Sequence, residues 1–326
     1  MSLTRRQLVL AGATGLPVLS GLTQPAQAQA AWPSKPIRIL TPFTAGGASD
    51  VIARALAANL QNALKQPVNV EPKPGADGAL AAQELLRQPA DGHTLFFATA
   101  SALSYVPNVR KAAAYTLADF APVSMFVTFS FYLMVHESIP GKTLAEALAH
   151  VKANPGKYGF ATGNSTVILA SALLANAAGA DMVHAPYKGE SQAVPDLVGG
   201  RVHMMWSSPT VMPALMKDGR FRPLAVLLPE RSATMPDVPT IAEAGHPLVN
   251  VVPWGGIVAP AATPKEVVAA ASKALRDAMG QPDMRPVADK AGLALRPSTP
   301  EAFGQLLREQ LAAYGNAVRL AKIPME

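Results

Sequence analysis

The chain contains no cysteine, and this absence excludes two options at once. No disulfide can stabilise the fold, so stability has to come from a hydrophobic core, and no thiol can serve as a catalytic nucleophile. With 326 residues, the chain is long enough to bury such a core. A rough prior of about 150 residues per domain suggests two lobes.

Clustered positive charge is also missing. The formal net charge is only +6, and no run of Lys and Arg, alone or interleaved with aromatic residues, indicates a nucleic-acid partner. After the N-terminal segment, no apolar run reaches the roughly 20 residues that span a bilayer. We therefore expect neither nucleic-acid binding nor a membrane span in the mature chain.

Signatures of catalysis and of metal binding are absent as well. Ser165 lies in Gly163-Asn164-Ser165-Thr166-Val167, which is not the G-x-S-x-G of a nucleophile elbow. The histidines form no H-x-H or H-x-x-x-H pair. Three acidic residues look like solvated or helix-capping positions rather than a catalytic pair: Asp181, Glu190 and Asp196. The sequence predicts no enzyme, no cofactor and no metal.

Residues 1–30 have the pattern of an export signal. A basic start, Met1–Arg6, precedes an apolar run from Leu8 to Leu22, and two small-x-small sites follow, so we expect periplasmic localisation and cleavage after about Ala28 or Ala30. Removal of the two arginines would lower the formal net charge to about +4. Adjacent arginines fit both the general secretory and the twin-arginine route. A membrane anchor is the other interpretation, but the run is too short for one.

From Pro36 onward, apolar strand-like runs alternate with helical patterns, which predicts a parallel-sheet α/β fold. The first predicted elements are a strand at Ile37–Leu40, a helix with a buried face from Val51 to Leu64, a strand at Val68–Glu71, a helix at Ala79–Arg87 and a strand at Thr94–Ala98. Thr143, Thr263 and Thr299 precede acidic residues at predicted helix starts and are expected to be N-caps.

Two long apolar segments predict a hinge. Ser124–Val135 is interpreted as one strand that leaves the first lobe and enters the second. Val249–Pro260, with a bend expected at Pro253 and Gly255-Gly256, is the predicted return. The predicted lobes are residues 31–129 with 252–326, and residues 130–251.

Two loops of small residues each follow a predicted strand and precede a predicted helix. The first, Phe43–Ala48, lacks the P-loop motif and the third glycine of G-x-G-x-x-G, and Ser49 or Asp50 is the candidate cap of its helix. The second is Thr162–Thr166. Backbone N–H groups at a helix N-terminus attract anions. Either loop alone could be a structural turn, but two such loops facing each other across a hinge would suit a carboxylate.

Short motifs recur along the chain in a fixed order: Trp32–Ile39, Pro42–Gly47 with Asp50, Pro74–Gly78, Asp91–Leu95, Asp119–Val123, Lys152–Lys157, Pro186–Gly189, Leu197–Gly200, Pro236–Gly245 and Ala259–Pro264. In this order they resemble the Bug family, the periplasmic solute-binding proteins of tripartite tricarboxylate transporters, over essentially the whole mature region. The resemblance implies a monomeric, two-lobed periplasmic binding protein of type II, a Venus flytrap. Such a protein closes on a small organic acid and delivers it to membrane permease subunits.

The resemblance also implies which residues bind the ligand. In the family, backbone amides of the loop matching Phe43–Ala48 hold a carboxylate, with ordered water, and the loop matching Gly163–Thr166 completes the site. The loop Thr99–Ser101 and the turn Tyr187–Gly189 would add specificity contacts. The expected ligand-binding residues are Phe43, Thr44, Ala45, Gly46, Gly47, Ala48, Asp50, Thr99, Ser101, Gly163, Asn164, Ser165, Thr166, Tyr187 and Ser207.

One segment departs from the family pattern. Where the family usually has V-D-x-M-F-D, this chain reads Val202–Ser207, VHMMWS, and both acids are lost. Because the second acid lies near the ligand in many relatives, Ser207 should relax discrimination against a second negative charge. Trp206 either offers an aromatic surface to the ligand or is a buried strand residue. A ligand sensor that presents its closed form to a signalling partner is the alternative function.

Overall fold

The computed structural model describes residues 32–42, 44–45, 48–110, 113–187 and 189–325. The predicted export signal lies outside these ranges and stays a prediction. The strands are β1 Ile37–Thr41, β2 Val68–Pro72, β3 Thr94–Thr99, β4 Phe120–Phe129, β5 Tyr132–His136, β6 Gly159–Thr162, β7 Val183–Pro186, β8 Met204–Ser207, β9 Phe221–Val226, β10 Trp254–Pro260 and β11 Leu293–Leu295.

The helices are α1 Ala48–Leu64, α2 Ala79–Leu86, α3 Val106–Val109, α4 Leu144–Lys152, α5 Ser165–Ala178, α6 Glu190–Val198, α7 Met212–Asp218, α8 Lys265–Met279, α9 Met284–Ala291 and α10 Pro300–Leu320. Short 3-10 helices lie at Ala76–Gly78 and Leu117–Asp119, and a π-helical turn lies at Ser101–Tyr105. None of the helices in the described ranges combines the length and the hydropathy needed to cross a membrane.

Two sheets organise the fold. One has six strands in the order β11-β4-β10-β3-β1-β2, and the other has five in the order β7-β6-β8-β5-β9. We call the part built on the six-stranded sheet the first lobe and the part built on the five-stranded sheet the second lobe. The two-lobed α/β class agrees with the sequence prediction, and the exact lobe boundaries stay a prediction.

Both sheets are mixed, so the prediction of a parallel-sheet fold was wrong in part. β1 runs parallel to β2 and β3, and β6 runs parallel to β7 and β8. In contrast, β10 is antiparallel to β3 and β4, and β5 is antiparallel to β8 and β9. The parallel pairs are the ones joined through helical crossovers, whereas the strands next to the lobe crossings run against their neighbours.

The first crossing consists of two strands rather than the single strand predicted. β4 pairs in the six-stranded sheet and β5 in the five-stranded sheet, and Ser130 and Phe131 separate them. One continuous strand could not satisfy the backbone hydrogen bonds of both sheets, because their ladders are separate. The return segment becomes a strand only at Trp254, the first residue of β10.

Packing explains why these elements hold together. Ile39 of β1 and Ile52 and Leu56 of α1 belong to one buried cluster of the first lobe. A second cluster includes Leu169 of α5 and Leu307 of α10, and therefore extends from the second lobe to the first. Burial of an aliphatic side chain stabilises the fold by about 1.5–3 kcal/mol, so apolar contact between α5 and α10 contributes to the arrangement of the lobes.

Two of the predicted N-caps are confirmed. Thr143 Oγ1 accepts a hydrogen bond from Glu146 N at 3.2 Å, and Thr299 Oγ1 accepts one from Ala302 N at 3.3 Å. Thr263 does not cap α8, because extended Pro264 takes the N-cap position and the helix starts one residue later than the Thr-x-x-Glu spacing requires.

Candidate functional site

The first predicted binding loop follows β1. Phe43, Gly46 and Gly47 lie outside the described residues, as does the side chain of Ala48. Thr44 and Ala45 are exposed. These residues join β1 directly to α1, as the sequence predicted.

Asp50 and Ser49 are buried within the first turn of α1 rather than at its N-cap position, because the helix already begins at Ala48. Neither residue therefore occupies the N-cap position of α1. Asp50 Oδ2 instead forms an ion pair with Arg54 Nε one helical turn later, at 2.8 Å. This spacing places both side chains on the same helix face.

The second predicted loop joins β6 to α5. Asn164 is the N-cap of α5, and its Oδ1 accepts a hydrogen bond from Val167 N at 3.1 Å. Gly163 lies so close to the start of α6 that a Cβ on it would be 2.6 Å from Glu190 N. The glycine is therefore required by a close backbone approach, and the cap fixes where the helix begins.

The α5 N-terminus is hydrogen-bonded to the first lobe through Ser165. The Ser165 hydroxyl donates to Asp77 Oδ1, and Asp77 Oδ2 forms an ion pair with Arg110 at 3.2 Å. Asp77 lies in the Pro74–Gly78 motif and has a positive φ of 55°, which aspartate tolerates better than most residues. A turn between β2 and α2 thus presents a carboxylate to the second lobe.

Thr166 provides a second bridge between the lobes. Its Oγ1 is 3.4 Å from Ser101 Oγ and accepts a hydrogen bond from the Tyr314 hydroxyl at 3.2 Å. The same hydroxyl lies 3.3 Å from the carbonyl oxygen of Val252. Tyr314 is fully buried in α10, and burial raises its pKa well above the ordinary value, so the hydroxyl stays a donor.

A cavity of about 120 Å³ lies where these contacts meet. We call it the interlobe cavity. Its lining comes from four places: the end of β3 with the following turn, the break between β4 and β5, the start of α5 and the start of β10. The lining residues are Thr99, Ala100, Ser101, Phe129, Phe131, Asn164, Thr166, Pro253 and Trp254. Thr99, Ser101, Asn164 and Thr166 were predicted from the sequence. The structure therefore brings two of the predicted loops together.

Two predicted residues of the second lobe, Tyr187 and Ser207, do not line this cavity. The Tyr187 hydroxyl donates to Asp196 Oδ2 at 2.7 Å, and this hydrogen bond raises its pKa. Ser207 is fully buried in β8, opposite Tyr132 of β5. Ser207 was predicted to relax discrimination against a second negative charge on the ligand. It does not line the cavity, so it has no direct contact with a ligand there through which to do so.

Trp206 is a buried strand residue, which was one of the two interpretations of the sequence. It has no exposed surface and pairs with Leu133 in the five-stranded sheet. The neighbouring Ser208 donates both its backbone N–H and its hydroxyl to the Glu190 carboxylate, each at 2.5 Å. Burial raises the pKa of Glu190, although these hydrogen bonds oppose the shift. Of the two interpretations of the sequence, solvated or helix-capping, Glu190 is closer to the second, because it is half-buried in the first turn of α6.

Sequence reasoning missed several residues of the site. Asp77 lies in a motif that was already recognised, so its acidic side chain on a glycine-rich turn was an available signal. Phe129 and Phe131 lie within a segment that was interpreted only as a crossing. Tyr314 is 148 residues from Thr166 in the chain, and no local pattern connects the two.

The described ranges also contain cavities larger than the interlobe cavity, of about 260, 380 and 550 Å³, and none of these three is lined by a predicted binding residue. No group of three or more His, Asp or Glu residues there could hold a metal ion. A larger cavity, of about 380 Å³, is lined by residues that include Ser130, Arg231, Arg285 and Arg296. No predicted binding residue lines that cavity.

We predict that Tyr314→Phe weakens ligand binding, because the variant loses an interlobe hydrogen bond. Such a bond contributes about 1 kcal/mol, so the variant should lose about that much stability, and affinity should fall about fivefold if the bond favours the closed state. Titration calorimetry and thermal unfolding measure the two effects.

Tyr132→Phe is the matched control for this prediction. Tyr132 is also fully buried and its hydroxyl is 2.7 Å from Thr234 Oγ1, but both residues belong to the second lobe. It should lose similar stability and keep its affinity. Equal affinities for the two variants would contradict a role of Tyr314 in closure.

Comparison with known proteins identifies the family. The family described as "Tripartite tricarboxylate transporter family receptor" matches residues 52–321. A Pseudomonas sp. strain P51 protein from the tcbD-tcbE intergenic region is 34% identical over 311 residues, covering 94% of this chain and 91% of that protein. BugT of Bordetella pertussis is 31% identical over 310 residues, with coverages of 92% and 93%.

Solved structures share the fold along almost the entire chain. One described as a periplasmic transporter is 36% identical, with a TM-score of 0.77 over 91% of this chain and 100% of that one. An R. palustris protein with adipate is 27% identical, with a TM-score of 0.77 and coverages of 90% and 99%. MatC from Rhodopseudomonas palustris with bound malate is 28% identical, with a TM-score of 0.73 and coverages of 88% and 99%. The chain therefore belongs to the tripartite tricarboxylate transporter receptor family, the Bug-type periplasmic solute-binding proteins, which are receptors rather than enzymes.

Proposed function

We propose that this protein captures a small organic carboxylate between its lobes and delivers it to the membrane permease subunits of a tripartite tricarboxylate-type transporter. The observation that carries the proposal is the interlobe cavity, in which hydroxyl and amide groups from both lobes converge beside the capped start of α5. Similar proteins solved with adipate and malate support a carboxylate as ligand.

The polar residues of the cavity are suited to bind a carboxylate. Asn164 uses its Oδ1 for the helix cap, which leaves its Nδ2 group as the donor to a ligand. Thr166 accepts from Tyr314, so its own proton is available to Ser101 or to a ligand oxygen. The positive end of the α5 dipole adds a favourable interaction with an anion, of about 0.3–1 kcal/mol when exposed.

The other residues that were predicted to contact the ligand fall into two groups, those that stay predicted contacts and those that are buried or bonded elsewhere. The loop that contains Thr44 and Ala45 stays the predicted source of backbone amides for the ligand. Tyr187 and Ser207 have no such support, because one is hydrogen-bonded to Asp196 and the other is buried in a strand. The Asp50 carboxylate forms an ion pair with Arg54.

Closure follows from where the ligand makes its contacts. A ligand shifts the open and closed populations only by its difference in affinity for the two states. The cavity is lined by Thr99 and Ser101 of the first lobe and by Asn164 and Thr166 of the second. A carboxylate that bridges them binds fully only when the lobes are closed.

A binding screen followed by an uptake assay tests the proposed function. The thermal unfolding of the mature protein is measured with aliphatic and aromatic mono-, di- and tricarboxylates. An acid that binds only the native state, present at a concentration 100 times its Kd, should add about 2.7 kcal/mol of apparent stability. A strain without the gene should then lose uptake of that acid. Normal uptake in the deletion strain would contradict delivery, and the absence of any shift would contradict carboxylate capture.

A further inference from the structure

The interlobe cavity has an aromatic wall. Phe129 and Phe131 flank the break between β4 and β5, and their rings are nearly parallel, with centroids 6.5 Å apart and planes at 15°. Trp254 lines the same cavity and is fully buried. The backbone holds the wall in place, because Phe129 N donates to the carbonyl oxygen of Pro253 at 2.9 Å.

The described lining of the cavity carries no charge. Its polar members are Thr99, Ser101, Asn164 and Thr166, and the others are aromatic or aliphatic. Asp77 and Arg110, which are close to the α5 start through Ser165, neutralise each other. One carboxylate can be held by neutral donors and a helix N-terminus. A second one against the aromatic wall would meet no cation among the described residues that line the cavity, and burial of an unpaired charge costs several kcal/mol.

The size of the cavity limits the ligand further. Its volume is about 120 Å³, whereas an apolar protein cavity of about 150 Å³ accommodates benzene. Sites for larger, drug-sized ligands reach about 300–1,000 Å³. The space is slightly smaller than one that encloses benzene and is open to solvent, so it suits a ring that is only partly enclosed.

The Trp254 indole N–H is a buried donor for which the described residues provide no hydrogen-bond acceptor. Buried donors without partners are rare in native proteins, because each one loses its hydrogen bond to water. Trp254 packs edge-to-face on Phe303, with ring centroids 5.5 Å apart and planes at 80°. The indole N–H groups of Trp32 and Trp206 are in the same state, so this donor does not by itself indicate a ligand.

We propose that the interlobe cavity selects a flat monocarboxylate with an apolar body of about one ring, such as a benzoate-type acid, over dicarboxylates and tricarboxylates. The carboxylate lies among Ser101, Asn164 and Thr166, and the body lies against Phe129, Phe131 and Trp254. This inference rests on the proposed function, since it names the ligand class of the same site.

Calorimetric titration of the mature protein with benzoate, cyclohexanecarboxylate, succinate and citrate tests this selectivity. Benzoate should bind at least tenfold more tightly than succinate and citrate. If succinate or citrate binds as tightly as benzoate, the selectivity is overturned while carboxylate capture stands. If none of the four acids binds, and the wider screen is negative too, both proposals fail.

Variants of the wall test its role directly. Phe131 is only partly buried, so Phe131→Leu should fold normally and lower benzoate affinity about tenfold. Phe221→Leu, in β9 and away from the cavity, is the control that loses stability but keeps affinity. Phe131→Arg supplies a cation and should shift the preference towards succinate. Unchanged benzoate affinity in both Phe131 variants would overturn the proposal.

Discussion

Gly163→Ala should remove most ligand binding. A Cβ at this position would be 2.6 Å from Glu190 N and 2.9 Å from Gly189 C, and both are backbone atoms that cannot rotate away. To make room, the Gly163 loop has to move away from the α6 start, and Asn164 and Thr166 move with it. We expect the affinity for the bound acid to fall at least about tenfold, which corresponds to about 1.4 kcal/mol.

The same substitution should also reduce stability, because overpacking a tight contact costs about 1–3 kcal/mol. Titration calorimetry measures the affinity and denaturant unfolding measures the stability of the purified variant. Both losses share one cause, displacement of the loop between β6 and α5. A variant that is destabilised but binds normally would show that this loop is not part of the ligand site.

Gly189→Ala is the matched control on the other side of the same contact. Gly189 has an extended backbone with φ of −178°, which any residue adopts, and a Cβ on it would have no atom within 4 Å. We expect stability within about 0.5 kcal/mol of the parent and unchanged affinity. Comparable losses in both glycine variants would indicate a general sensitivity of this region rather than a specific clash at Gly163.

The sequence is most informative where function depends on local chemistry. The strand, small polar loop and helix around Asn164 were predicted because a short strand-like run, a group of small polar residues and an apolar helical run are neighbours in the chain. Thr99 and Ser101 were recognised as a polar loop after the predicted strand, and their place in the ligand site was implied by the resemblance to the family. These three positions, with Thr166, supply the polar part of the cavity.

Contacts between distant segments could not be predicted in this way. Tyr314 reaches Thr166 only because α10 packs against α5, and such packing leaves no pattern in either helix. The break between β4 and β5 was missed because Ser130 and Phe131 do not interrupt the apolar run. Hydrophobicity predicts burial, but it does not indicate which sheet a strand joins.

Gly255 and Gly256 illustrate a related ambiguity. The sequence suggested a bend at this pair. Both glycines lie within β10, and the pairing of β10 with β4 shifts register between them, an irregularity of the kind that bends a strand pair. A Cβ on Gly255 would meet the Phe97 ring at 2.5 Å, and a Cβ on Gly256 would meet the Phe303 ring at 2.2 Å. Glycine is therefore required here because aromatic rings approach both faces of the strand, which is a second common reason for glycine in a strand.

Gly256→Ala should consequently cause the largest loss of stability among the substitutions considered. Phe303 is fully buried, and three atoms of its ring would lie within 2.8 Å of the new methyl group. We expect a decrease of about 2–3 kcal/mol in the free energy of unfolding, at the upper end of what overpacking costs. Denaturant unfolding of the parent and the variant measures it.

The effect should extend to the ligand site through Trp254. Trp254 and Gly256 point to the same face of β10, and Phe303 packs edge-to-face on the Trp254 ring. A shift of Phe303 therefore alters the wall of the cavity, so tryptophan fluorescence should change and ligand affinity should fall. Gly280→Ala, whose Cβ would make only ordinary contacts at 3.5 Å at the end of α8, should change neither. If Gly256→Ala were as stable as Gly280→Ala, Phe303 would have room to move, and the tight packing between β10 and α10 would not hold the aromatic wall in place.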